Sequence, residues 1–199
     1  MKNIDLPLRV RRKRKLSRLR KHRRCYGESI DERPVDVESR ETFGHWEIDT
    51  VIGSADSSEV LLTLDERMTR KRHIVKLPAK TAKAVEEGLK QVRKEYGKAW
   101  SKVFRTITCD NGSEFSSLPE LFTDTKIYYA HPYSAWERGT NEKQNSLIRR
   151  FFPKGKSFTS VSEKAISLVE DWINNLPRKF LEYHSPDEVF NSVLFDLAI

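Results

Sequence analysis

His45-Trp46-Glu47-Ile48-Asp49-Thr50-Val51-Ile52 is the stretch on which the fold turns. Its aromatic and β-branched residues predict a strand, and Asp49 stands in the strand's interior. Burying a carboxylate there costs free energy unless a cation compensates. Asp49 therefore carries more weight than the acids scattered over polar stretches.

Working outward, Gly53 to Ser58 is rich in turn formers, and Glu59 to Leu64 reads as a second strand. Arg72 to Leu77 reads as a third, stopped by Pro78, so the first three strands predict an antiparallel meander. From Thr81 to Tyr96, residues Ala82, Val85, Leu89, Val92 and Tyr96 share one helical stripe. Phe104 to Cys109 predicts a fourth strand, with Asp110 at its end and Asn111-Gly112 as the turn that follows. A short helix is expected near Leu118 to Phe122, where Ser117 and Glu120 have capping-box spacing. Lys126 to Ala130 predicts a fifth strand, ended by His131-Pro132, and a helix follows over 135–151 until Pro153. Ser160 and Glu163 predict the start of a last helix that turns Val161, Ala165, Leu168, Val169, Trp172 and Ile173 inward until Pro177. Three strands, helix, strand, helix, strand, helix imply an α/β fold with a five-stranded mixed sheet flanked by helices. This order is that of a ribonuclease H-like fold.

Charge divides the chain. Of its 199 residues, the first 24 hold 12 Lys/Arg and one acid, and the remaining 175 hold 25 and 28. The net charge of +8 thus belongs to an N-terminal arm, and such runs bind polyanions. Residues 25–42 are polar and acid-rich and read as a linker. The expected division is an arm and linker over 1–41 and a compact core over 42–199. No stretch approaches the roughly 20 apolar residues of a membrane span, and the basic N-terminus lacks the apolar segment of a secretory signal. Cys25 and Cys109 form no framework and are expected to be reduced in the cytoplasm.

Asp49 and Asp110 end up on two strands, and the helix after the fifth strand offers Glu137 and Glu142. Two strand acids and a helix acid suit in-line displacement at phosphorus, where two Mg²⁺ ions about 4 Å apart assist both the attacking and the leaving oxygen. Mg²⁺ is a hard ion that selects carboxylate oxygen over cysteine and disfavours His45 and His131. Glu114 and Asn111-Gly112 read as structural, and Trp46, Trp136 and Trp172 as packing residues.

Four blocks carry a family resemblance. They are Gly44 to Asp49, then Cys109-Asp110-Asn111-Gly112-Ser113-Glu114-Phe115, then His131 to Glu142 running on to Gly155, and, more weakly, Asn175 to Lys179 with Ser185 to Phe190. Over about 42–191 the chain resembles DDE transposases and retroviral-type integrases, and it is most similar to the bacterial insertion-sequence transposases of the "thirty" family. The resemblance implies a ribonuclease H-like core that cuts and joins DNA, with Mg²⁺ (or Mn²⁺ in its place) as cofactor, two ions per site. It places the catalytic Glu three residues after a Gly, which selects Glu142 after Gly139. Asp49, Asp110 and Glu142 are then the catalytic and metal-holding residues. The implied partners are transposon-end and target DNA and further copies of the chain, as a dimer or larger assembly on DNA in the bacterial cytoplasm, at the nucleoid. Asn145 and Arg149 share the helix face of Glu142. Together with Lys143, Arg150, Lys154 and Lys156, and Arg11, Arg12 and Arg14 of the arm, they are the expected DNA contacts.

Two departures stand out. Only the basic arm precedes the core, where family members carry a helix-turn-helix region that reads the element ends. Leu176 stands where the family often has Arg before Pro-Arg-Lys. The competing functions are a non-catalytic DNA-binding remnant that regulates transposition and a plain nuclease of the same fold.

Overall fold

The computed structural model describes residues 26–131 and 139–197, with the backbone alone for 139–143. Arg11, Arg12, Arg14, Cys25, Trp136 and Glu137, and the side chains of Glu142 and Lys143, lie outside the described residues.

The quoted stretch forms β2 (His45–Ile52), flanked in the sheet by two different partners. On one side lies the antiparallel meander of β3 (Val60–Glu66) and β4 (Arg72–Leu77), with Asp49 opposite Thr63 and Leu62 opposite Val75. On the other side β5 (Thr106–Cys109) and β6 (Lys126–Tyr129) run parallel to it. A sixth strand, β1 (Glu28–Ser29), pairs with β6, giving the order β1-β6-β5-β2-β3-β4.

The sheet has one strand more than the five expected, and the addition comes from the stretch read as linker. Two residues are too few to show a period of two, so β1 carries no local signal. The same stretch continues into α1 (Val35–Ser39), whose Val37 is buried. Structure thus begins before the boundary near Thr42 that composition suggests.

The two faces of the sheet are chemically unlike. One holds the main apolar core, in which Trp46, Ile48, Leu62, Leu64 and Ile107 meet α2 (Ala82–Tyr96). Trp46 stacks on Phe104 at 4.2 Å between ring centres, and Phe104 stacks on Trp100 of the short α3 (Trp100–Val103) at 3.9 Å. Thr81 caps α2 by accepting from the Ala84 amide. Gly88 lets that helix approach β4, because a Cβ there would sit 2.7 Å from Leu77 Cδ2.

The opposite face carries charge. Along it lie His45, Glu47 and Asp49 of β2, Thr106 and Thr108 of β5, Asp65 of β3 and Arg72 of β4, following the two-residue alternation of strands. Arg67, just beyond β3, pairs with Glu47 and donates to the Val37 carbonyl, and Arg33 donates to Thr108. These contacts seat the residues before β2 on the polar face. A smaller apolar cluster closes its far end, where Val51, Leu61 and Ile74 meet Ile148 of α5 (Gly139–Phe151) and Ile166, Val169 and Ile173 of α6 (Glu163–Asn174).

Helix α6 also lines the outer edge of β4. Asn174 accepts from the Arg72 amide and donates to the Arg72 carbonyl, both at 2.8 Å, and Glu170 accepts from the Ile74 amide at 2.7 Å. Three helix details differ from expectation. Ser162, not Ser160, caps α6, and the helix buries Ile166, Val169 and Ile173, which leaves Leu168 61% exposed while Trp172 lies edge-on to Phe151 near the surface. Ser117 makes no capping bond to α4 (Leu118–Leu121), since its backbone is already helical. A further helix, α7 (Pro186–Asp196), opens with the Ser185/Glu188 capping box and sets Phe190 against Phe43 and Trp46.

His45 gives a pH test of this architecture. Its Nδ1 lies 2.8 Å from Thr106 Oγ1, and its buried Nε2 meets no partner among the described residues. Burial, reinforced by the Arg105 guanidinium, pushes the imidazole down to about 4 from 6.5. Between these values the unfolded chain holds a proton that the folded chain refuses, so stability falls as pH drops from 6.5 toward 4. The expected loss is about 2–3 kcal/mol. Urea unfolding at pH 7 and pH 4.5 measures it, and His45→Asn should flatten this part of the profile.

Candidate active site

The register between β2 and β5 positions the two strand acids. His45 pairs with Thr106, Trp46 with Ile107 and Glu47 with Thr108. Carried two residues further, the same parallel register sets Asp110 level with Asp49 on the neighbouring strand. Both residues are half-buried at the rim of the polar face.

The turn after β5 then folds back on itself. The Gly112 amide donates to Asp110 Oδ1 at 3.1 Å, an Asx turn. Glu114, expected to be structural, is buried beside it, salt-bridged to Lys80 at 2.9 Å and 3.4 Å from Thr50 Oγ1. Gly112 lies between the two carboxylates. A Cβ there would sit 2.5 Å from Glu114 Oε2 and 2.8 Å from Asp110 Oδ1. Its φ of −79° suits any residue, so alanine would act by displacing carboxylate ends and not by straining the backbone. Gly112→Ala is therefore expected to leave the melting temperature within a few degrees while lowering metal-dependent activity about tenfold to a hundredfold, the size of effect that a 1 Å misplacement produces. Thermal melts and plasmid nicking by the same preparation check it.

Helix α5 supplies the third side. Asn145 Nδ2 donates to Asp49 Oδ2 at 3.0 Å, which ties this helix to the strand acid. Position 142 lies three residues earlier in the same helix, just under one turn. Asn145, expected to touch DNA, has its amide engaged at both ends by protein groups, because Oδ1 accepts from Arg72 Nη2 at 3.0 Å. Arg149 donates to the Ile52 carbonyl at 2.8 Å, and burial lowers its pKa. Arg150, Lys154 and Lys156 are exposed on the last turn of α5 and the loop after it. That loop packs on the β2–β3 turn, since a Cβ on Gly53 would meet the Lys156 carbonyl at 2.7 Å.

Asp49 and Asp110 are hard oxygen donors of the kind a divalent cation selects, and a neutral amide binds Asp49. Among the described residues no three His, Cys, Asp or Glu side chains gather into a metal-holding group. Asp49 and Asp110 are two carboxylates of the type such an ion selects, and the side chain at position 142 lies outside the described residues. The histidines stand elsewhere: His45 against Thr106, and His131 Nε2 3.0 Å from Asp31.

Sequence inspection missed the Asp65–Arg72 pair beneath Asn145, and it missed Lys80 on Glu114. No local pattern links the two, and only strand pairing turns Asp65 and Arg72 toward each other.

No protein-family model matches the chain. It is 40% identical over 194 residues to a probable transposase for the insertion-like sequence element IS1161 of Streptococcus salivarius, covering 96% of this chain and 54% of that protein. It is 41% identical over 171 residues to the transposase for insertion sequence element IS4351 of Bacteroides fragilis, covering 83% of this chain and 50% of that protein. It is also 34% identical over 165 residues to the transposase InsI for insertion sequence element IS30A of Escherichia coli, covering 82% of this chain and 42% of that protein. The chain thus spans about half the length of the curated relatives it matches. Among solved structures, the catalytic core domain of BIV integrase superposes with a TM-score of 0.59 at 17% identity, covering 79% of this chain and all of that one. Over most of its length, then, the chain is related to the insertion-sequence transposases, and its fold is the ribonuclease H-like fold of an integrase catalytic core.

Proposed function

We propose that this chain is the catalytic core of a DNA transposase, cleaving DNA at transposon ends and joining the freed 3′-hydroxyl to target DNA. The observation that carries the proposal is that Asp110 directly follows β5, the parallel neighbour of the strand bearing Asp49, with α5 tied to Asp49 through Asn145. Asp49, Asp110 and Glu142 would hold Mg²⁺, or Mn²⁺ in its place, two ions per site. Bound there, the metal lowers the cost of negative charge at the phosphorus and on the attacking and leaving oxygens. The protein's own part is to fix the carboxylates on a rigid sheet and to aim the substrate.

Phosphate contacts fall to the exposed Arg150, Lys154 and Lys156, with Arg149 at their border and Lys143 on the same helix. The basic arm, including Arg11, Arg12 and Arg14, adds affinity that is independent of sequence and falls steeply with salt. Joining two element ends takes two active sites, so the working form is a dimer or larger assembly on DNA. Among the described residues no helix is long and apolar enough to cross a membrane. A cytoplasmic location at the nucleoid fits a DNA substrate.

The test is incubation of the chain with supercoiled plasmid and a labelled oligonucleotide bearing a free 3′-hydroxyl, with Mg²⁺, with Mn²⁺ and with EDTA. Metal-dependent nicking accompanied by covalently joined label supports the proposal. Nicking without joining would mark a plain nuclease, and binding without nicking a DNA-binding remnant.

A further inference from the structure

Beneath the site, Asp65 of β3 and Arg72 of β4 face each other across the hairpin, 1% and 0% exposed. The pair is bidentate, with Arg72 Nε 2.7 Å from Asp65 Oδ1 and Nη2 2.5 Å from Oδ2. The same Nη2 reaches Asn145 Oδ1 at 3.0 Å, and Asn145 Nδ2 reaches Asp49 Oδ2 at 3.0 Å. Asn174 fixes the Arg72 backbone from the far side through both its amide and its carbonyl.

These four side chains have a built-in direction. A guanidinium only donates and an ionised carboxylate only accepts, while a carboxamide does one at each end. Arg72 at one end and Asp49 at the other therefore allow Asn145 a single orientation. A buried ion pair gains little stability over apolar residues of the same volume. A full charge, however, fixes which way an amide faces far more firmly than a neutral group does.

We infer that the buried Asp65–Arg72 pair is a positioning device for the site. Through Asn145 it holds Oδ2 of Asp49 and so sets the direction in which that carboxylate presents its oxygens to a divalent cation. The inference rests on the proposal that Asp49 is a metal ligand. It assigns Asn145, Arg72 and Asp65 to positioning and makes the meander hairpin part of the catalytic machinery.

The test uses the full chain and Mn²⁺ binding followed by titration calorimetry and by the electron paramagnetic resonance of the ion. The variants are Asp49→Asn, Asn145→Leu, and the double change Asp65→Asn with Arg72→Gln, which removes both charges and, because glutamine is shorter than arginine, withdraws the hydrogen bond to Asn145. The expected result is Mn²⁺ affinity at least about tenfold weaker in Asn145→Leu and in the double variant, with their melting temperatures retained. A folded double variant that binds Mn²⁺ as tightly as wild type, while Asp49→Asn does not, overturns the positioning role and leaves the metal site standing. Equal Mn²⁺ binding by wild type and Asp49→Asn overturns the metal site and this inference with it. Should the double variant fail to fold, the wild-type chain still decides by nuclear magnetic resonance. The side-chain amide protons of Asn145 are expected to exchange slowly with solvent and to shift on Mg²⁺ addition; exchange at the rate of a solvated amide with no Mg²⁺ response overturns the inference.

Discussion

Asp49→Asn is expected to reduce Mg²⁺-dependent nicking of supercoiled plasmid by about a thousandfold or more while the fold is retained. The magnitude follows from the role. Removing a ligand that holds the ion removes several kcal/mol of charge stabilisation at the phosphorus, and about 4 kcal/mol is a factor of a thousand. The retained fold follows from place: Asp49 is only half-buried, and the amide it accepts from is also anchored to Arg72. Asp110→Asn and Glu142→Gln should give losses of similar size. Initial rates of nicking, with circular dichroism melts of the same proteins, check all three. Residual nicking equal in wild type and variants would trace the activity to a contaminating nuclease.

The largest loss of stability is expected from Arg72→Met. The change leaves the buried Asp65 carboxyl without its guanidinium and frees the side-chain oxygen of Asn145 that Arg72 engages. Breaking a buried pair from one side costs about 3–5 kcal/mol. In a chain of this size that is roughly 10 °C of melting temperature. Neutralising Asp65 in the same protein, as Asn, should recover much of the loss, because an uncharged amide tolerates burial far better than a lone carboxylate. Thermal denaturation of the single and double variants measures both steps.

Much of the frame was legible in the sequence because it rests on local pattern. The runs 45–52 and 72–77 became β2 and β4 with the predicted bounds, and the stripe from Ala82 to Tyr96 became α2 with its Thr81 cap. What escaped was set by tertiary context or passed over. β1 is too short to show a period and exists because the edge of β6 offers partners. Helix α7 did carry a signal, Ser185 and Glu188 with Pro186 between them, hidden inside a block noted only for its resemblance. At the site, Asp49 and Asp110 stood out singly, but their common level comes from the parallel register, which no local pattern encodes. Asp65 lay one residue past the expected end of its strand, so its link to Arg72 and on to Asp49 stayed out of sight.

The side chains of α6 along the outer margin of β4 bear on assembly. A bare terminal strand invites another chain to continue the sheet, and that is a common route to aggregates and to open-ended stacks. Here Asn174 and Glu170 occupy the Arg72 and Ile74 groups that an incoming strand would need. At the other margin β1 offers only two residues. Strand addition is thus disfavoured at both described margins, so copies assembling in the way proposed would meet through other surfaces, and each sheet would keep the spacing of its own strand acids.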